Sequence, residues 1–201
     1  MIDIVKLRVG PYDNASYVVS CRNTRKAVIV DAAAEADTIL AACEGLDVQS
    51  IPTTHGHMDH IGALDAVKDA LDVPWLLHPA DTEIADRDPD RPLAAGNEIV
   101  FGEVALHVLH TPGHTPGSVS FVFEPSDGSD VHVLFSGDTL FPGGPGATRW
   151  DYSDFGQIMD SIEKELFARL PDEALVHPGH GESTTIGAER PHLDEWRDRG
   201  W

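Results

Sequence analysis

Thr54-His55-Gly56-His57-Met58-Asp59-His60, THGHMDH, places three imidazoles and a carboxylate at positions 55–60. Such a stretch is either a solvated, histidine-rich loop or half of a metal cage. The residues before it, VQSIPTT (48–54), read as a strand that delivers the chain into the motif. Those after it, IGALDAVKDAL (61–71), read as a helix with Ile61, Leu64, Val67, Ala70 and Leu71 on one face. In extended backbone, side chains two apart point the same way, so His55, His57 and Asp59 can face a common point. Gly56 between them leaves room for close backbone approach. Asp59 and His60 sit where the helix starts, and the turn redirects His60 toward a neighbouring point. One short segment can therefore feed two adjacent metal positions, since imidazole and carboxylate are ordinary ligands of zinc, iron and manganese. A lone histidine is more often a hydrogen-bonded surface residue; four candidate donors in six residues favour the cage.

The flanking chain suggests the scaffold. Ile2 to Val9 alternates, and ASYVVS (15–20) and AVIVD (27–31) continue as strands separated by the turns GPYDN and RNTRK. AEADTILAACEG (34–45) has Ile39, Leu40 and Cys43 at helical spacing and stops at Gly45. VPWLLH (73–78) is another short strand, and the segment from Ala80 to Asn97, rich in Asp, Pro and Arg, reads as a surface excursion. A second block follows the same plan: VALHVLH, SVSFVF and VHVLFS are strands separated by TPGHTPG (111–117) and EPSDGSD (124–130). The glycine-rich FPGGPGATRW (141–150) leads to a helix over 153–170 with Ser153 as N-cap, then the strand ALVH and a charged terminal helix. Strands followed by strand–helix alternation in each half imply the α/β class: a four-layer αββα sandwich of two mixed β-sheets with outer helices. At 201 residues the chain is expected to form a single domain, 1–201.

Further candidate ligands stand where loops leave strands: His114 in TPGHTPGS, Asp138 in SGDTLF and His180 in PGHG. Rigid strand ends can hold a site. Asp138 alone would pass as a turn residue and the histidines as loop residues; three in the same context, downstream of the dense cluster, support the cage. Asp31 reads as a buried structural carboxylate. Trp150, Tyr152 and Phe141 are candidates for lining a pocket, and His78, His107, His110, His132, His177 and His192 for ordinary packing, hydrogen bonding or solvation.

Thirty-four acidic residues against 14 basic ones give a net charge of −20, a surface that repels phosphate backbones and anionic membranes. Nucleic-acid and membrane partners are not expected, and no run approaches the roughly 20 apolar residues of a membrane span. The two cysteines form no disulfide framework, so a reduced, cytoplasmic location is the expectation.

THGHMDH, TPGHTPGS, SGDTLF and PGHG, in that order between about Tyr12 and Gly187, resemble the metallo-β-lactamase fold superfamily. GHGESTTIG brings the small glyoxalase II-like (hydroxyacylglutathione hydrolase-like) thioester hydrolases nearest. The resemblance implies that His55, His57 and His114 hold one metal, that Asp59, His60 and His180 hold a second, and that Asp138 bridges them. Two divalent ions, zinc first and iron or manganese as alternatives, would share a water and lower its pKa to supply hydroxide near neutral pH. The hydroxide would attack a thioester or related ester carbonyl while metal stabilises the oxyanion. On that resemblance Asp59 and Asp138 would be the catalytic carboxylates, with Asp59 accepting the proton as the tetrahedral species collapses. The partner is a small-molecule substrate. Full-length glyoxalase II enzymes resemble the chain only up to its end, since a separate C-terminal glutathione-binding helical domain has no counterpart in this sequence. GRTD of the small relatives is replaced by GGPGATRWDYSDF (143–155), where Arg149 is the candidate arginine. A mononuclear iron persulfide dioxygenase and a lactonase are the alternatives on the same fold.

Overall fold

A strand that feeds one core alternates buried and exposed residues; a strand between two cores buries both faces. The computed structural model describes residues 2–125 and 131–200. In it β1 (Ile2–Val9), β2 (Asn14–Cys21) and β3 (Lys26–Val30) form an antiparallel meander. Helix α1 (Ala36–Ala42) crosses to β4 (Asp47–Pro52), which runs parallel to β3. Then come α2 (Met58–Ile61), α3 (Leu64–Leu71), β5 (Trp75–Leu77), α4 (Thr82–Ala85) and β6 (Arg91–Pro92), closing a sheet of order β1-β2-β3-β4-β5-β6. The second half repeats the plan with β7 (Glu98–Phe101), β8 (Val104–His110), β9 (Val119–Phe123) and β10 (Val133–Gly137). A two-residue pair, β11 (Leu140–Phe141) and β12 (Gly144–Pro145), precedes α5 (Phe155–Ser161). β13 (Leu175–Pro178) lies parallel to β10, followed by β14 (Thr184–Thr185), α6 (Ile186–Glu189) and α7 (Leu193–Arg199). This sheet has the order β14-β13-β10-β9-β8-β7.

Every residue of β2, β9 and β10 is buried. One face of β2, with Ala15, Tyr17, Val19 and Cys21, meets Leu106, Val108, Phe121 and Phe135 of the other sheet. The opposite face of the first sheet, with Val18, Ala27 and Ile29, packs on Ile39 of α1 and on Leu64 and Val67 of α3. Val122, Leu134 and Val176 pack outward on Ile158, Met159 and Trp196. Helix, sheet, sheet, helix: the expected four layers are present. Phe121, fully buried between the sheets, anchors the central layer. Phe121→Ala is expected to lower unfolding free energy by about 3–5 kcal/mol, measured by urea titration.

Three local expectations change. Asp154 caps α5, its side chain accepting from the Gln157 N–H at 2.9 Å, because Ser153 is engaged elsewhere, donating to the His114 carbonyl at 2.8 Å. The helix expected over 153–170 ends at Ser161 and continues as a π-helical turn, Ile162–Phe167. The segment 80–97 is only partly surface: Asp81, Ala85 and Leu93 are buried. Most of the separator 124–130 lies outside the described residues.

His177 shares a hydrogen bond with Ser183 Oγ and packs against Tyr17 and Phe135, 5.4 and 5.7 Å between ring centroids. Burial, with Lys6 second, pushes its pKa down to about 4 from 6.5. The unfolded chain therefore binds the extra proton first. His177 leaves stability untouched above pH 6.5 and withdraws it as pH falls from there toward 4. In His177→Gln the loss of stability between pH 7 and 5, followed by urea midpoints, should be smaller than in the parent.

Candidate metal centre

The strand termini meet at one edge of the sandwich. Val119 N–H donates to Thr54 O at 2.8 Å, Gly179 N–H to Gly137 O at 2.9 Å, and Asn14 bridges to His180. These links bring the loops after β4, β8, β10 and β13 together. His57 is extended (φ −65°, ψ 142°), but α2 begins at Met58. The shared facing expected of His55, His57 and Asp59 therefore holds only for the two histidines, because one helical residue turns Asp59 away with His60. Donor atoms fall into three overlapping groups, each within 4.8 Å: His55, His57 and His114; His55, His60 and Asp138; Asp59, His60 and His180. All seven residues singled out in the sequence are brought together.

The outer nitrogens decide what the inner ones can do. His114 Nδ1 donates to Ala147 O at 2.7 Å, and His180 Nδ1 to Tyr12 O at 2.9 Å. His60 Nδ1 donates to the Asp31 carboxylate at 2.8 Å. Thr54 Oγ1 gives its hydrogen to Asp31, so it accepts from His55 Nδ1 at 3.1 Å. These contacts hold each Nδ1 as the donor, so that in the neutral ring it is Nε2 that carries the lone pair, as metal-ligating imidazoles require. The bare atoms converge: His55 Nε2 and His114 Nε2 lie 3.1 and 3.0 Å from His57 Nδ1, and His60 Nε2 lies 3.2 Å from His180 Nε2. Lone pairs at such distances repel unless positive charge sits among them.

Asp138 stands between the groups. Its Oδ1 is 3.4 Å from His60 Nε2, and its Oδ2 is 3.4 Å from His180 Nε2 and 3.6 Å from His114 Nε2. Oδ1 is buried and has no hydrogen-bond partner among the described residues. Such an orphaned acceptor in a ring of nitrogen lone pairs fits a divalent cation. The electrostatics agree. Burial, reinforced by neighbouring histidines, pushes His55 well below its usual pKa and His57 down to about 4. At His60 burial pulls downward, but Asp138 and Asp31 outweigh it and raise the pKa to about 9. Burial pushes Asp138 upward, yet His60, His180 and His114 hold it well below the carboxylate range. The carboxylates demand positive charge, which protons or metal can supply.

Two further carboxylates hold the loops in place. Asp31 behaves as the sequence suggested, binding His60, Thr54 Oγ1 and the Thr54 N–H. Asp81 was not foreseen. Fully buried, it accepts from Gly56 N–H (2.8 Å), Thr115 Oγ1 (2.7 Å) and Gly117 N–H (2.6 Å), tying the His55–His57 turn to the His114 loop. A Cβ on Gly56 would stand 2.7 Å from Asp81 O, so glycine is needed for that approach. Gly179 serves similarly; a Cβ there would lie 2.3 Å from Asp138 Oδ1.

A cavity of about 1100 Å³ opens over the cluster, with His57, Asp59, His114, Asp138 and His180 exposed to it. Trp150 and Tyr152 line it as expected; Phe141 instead lines a smaller groove on the other side of Asp138 and His180. The remaining histidines stay out of the cluster, His78 stacking on His110 at 4.4 Å and His107 and His192 facing surface glutamates. Among the described residues, no helix is long and apolar enough to cross a membrane.

Comparison with known proteins agrees with this geometry. The family profile described as "Metallo-beta-lactamase superfamily" matches residues 9–180. The Haemophilus influenzae (strain ATCC 51907 / DSM 11121 / KW20 / Rd) protein named hydroxyacylglutathione hydrolase GloC is 32% identical over 186 residues, covering 83% of this chain and 85% of that one. Among solved structures, BLEG-1 B3 metallo-beta-lactamase superposes with a TM-score of 0.81 at 32% identity, over 96% of this chain and 98% of the other. TTHA1623 in a di-iron-bound form gives 0.79 at 35% identity, over 92% and 96%.

Proposed function

Because the chain belongs to the metallo-beta-lactamase superfamily, as a metal-dependent hydrolase with glyoxalase II-like relatives, we propose that it cleaves a thioester or related small ester at a binuclear centre. The observation that carries this reading is that His55, His60, His114 and His180 commit an outer nitrogen to a protein acceptor, while their inner nitrogens fall with His57, Asp59 and Asp138 into overlapping donor groups. His57 completes the set, its Nε2 lying 2.8 Å from Tyr152 Oη. His55, His57 and His114 would hold one divalent ion, Asp59, His60 and His180 the other, with Asp138 between them. When bound, such ions supply Lewis acidity toward a carbonyl oxygen and a water of near-neutral pKa.

The protein's own groups do the rest. Asp31, Ala147 and Tyr12 orient the imidazoles and fix their tautomers. Asp59 is the cluster carboxylate more open to the cavity, 32% exposed against 12% for Asp138. Asn14 Nδ2 donates to it at 3.1 Å. Asp59 is thereby placed to take the proton of the attacking water and to return it as the leaving group departs. A thiolate needs little such help, which favours a thioester. We take zinc as the native metal, the whole of 1–201 as one catalytic domain, and the cytoplasm as its location.

Metal analysis of the purified protein, run beside a panel of thioesters, lactones, β-lactams and glutathione persulfide, tests the reading. Two divalent ions per chain with thiol release are expected. One iron per chain with oxygen consumption on the persulfide would replace it with a dioxygenase, and turnover confined to lactones with a lactonase.

A further inference from the structure

The cavity wall above the first histidine group is built from two aromatic side chains that are not themselves among the candidate metal donors. Trp150 lies 4.7 Å from the His57 ring and 5.2 Å from His114, and Tyr152 Oη is 2.8 Å from His57 Nε2. The Trp150 and Tyr152 rings are parallel within 4°, 6.1 Å apart. Around the same mouth, Tyr12 is 69% exposed, Met58 60% and Tyr152 39%, with Ile84 beside them. On a chain of net charge −20, these exposed apolar side chains line the same cavity as the candidate metal centre. Apart from the candidate ligands, the cavity lining has, among the described residues, one cation, Arg149, whose guanidinium lies 4.9 Å over the Trp150 ring, and one anion, Glu83. That balance offers no cluster of positive charge for a polyanionic carrier.

The geometry points to a substrate with an alkyl or aryl group flanking the scissile bond, seated on the Trp150–Tyr152 wall; the assignment rests on the hydrolase reading above and narrows its substrate class. The wall is held by the His57–Tyr152 contact, so a group lying on it is fixed relative to the reacting carbonyl. Each methylene buried there should raise kcat/KM about fourfold until the wall is covered. Hydrolysis itself is unaltered: water adds to the carbonyl carbon, the carbon–sulfur or carbon–oxygen bond breaks, and the proton of the water ends on the leaving group.

The test uses the metal-loaded full chain. Thioesters of N-acetylcysteamine with acetyl, butanoyl, hexanoyl and phenylacetyl groups, and acetyl thioesters of alkyl and benzyl thiols, are compared by thiol or acid release. In parallel, binding of 4-phenylbutan-2-one, an unreactive ketone isostere, is compared with that of butan-2-one by calorimetry. The expected result is a rise in kcat/KM of at least about tenfold along one of the two series, tighter binding of the phenyl ketone, and loss of both preferences in Trp150→Ala. Circular dichroism and metal content check that this variant is folded and loaded; Tyr152→Leu, which keeps an apolar surface, should retain part of the gradient. Thioester hydrolysis with no gradient in either series, or a glutathione thioester preferred over every apolar one, would overturn the substrate class and leave the hydrolase reading standing. Ketone discrimination without hydrolysis of any ester would do the reverse.

Discussion

Asp138→Ala is expected to lower kcat/KM by about 10³-fold or more and to reduce bound metal below two ions per chain. Among the described residues, Asp138 is the one carboxylate that faces histidines of both outer groups, His114 on one side and His60 and His180 on the other. Its removal leaves converging nitrogens with less negative charge to hold a cation between them. Lewis-acid stabilisation of a developing oxyanion amounts to several kcal/mol, and about 1.4 kcal/mol corresponds to a factor of ten. The measurement is turnover together with metal content by plasma mass spectrometry. His57→Ala should likewise lose metal and turnover. Full activity with two ions bound in either variant would remove the assigned ligands from the mechanism.

Asp81→Ala is the second large effect, and it acts on both stability and the site. The substitution strands three buried donors, Gly56 N–H, Gly117 N–H and Thr115 Oγ1–H. Leaving a buried donor unpaired costs about 1–3 kcal/mol, so a loss near 3–5 kcal/mol is expected in urea titrations once partial rearrangement is allowed. Metal affinity should also fall about 10–100-fold, as for other groups that orient ligands from outside the coordination shell. Asp81→Asn can keep an oxygen where Oδ2 accepts from Gly56 and Thr115, turning its NH₂ on Gly117, and should lose roughly half as much stability. Equal stability of Asp81→Ala and the parent would show that the carboxylate does not hold these loops.

Much of the site was legible because ligand chemistry is written in residue type and local spacing. His55, His57, Asp59 and His60 share one turn, and His114, Asp138 and His180 each follow a strand. The meander was legible for a similar reason: two-residue periodicity and turn residues are local. The N-cap was misplaced by one residue because Ser153 and Asp154 are both good caps, and the choice fell to the His114 carbonyl, 39 residues away. Asp81 had no signal at all. It sits in a stretch with Asp86, Asp88 and Asp90, and only the closure of loops 25 and 36 residues distant shows that it is the buried one.

The sequence by itself determined which side chains can bind metal, their order, and the layered α/β scaffold, since these depend on residue chemistry and short-range periodicity. Tertiary structure decided which way Asp59 faces, because the first residue of α2 turns it from His55 and His57 toward His180, where extended backbone alone would have kept the three together. It also decided which nitrogens are bare and which aromatics wall the cavity. Those outcomes are set by contacts between strand ends far apart in the chain, and no local pattern encodes the distance at which such ends will meet.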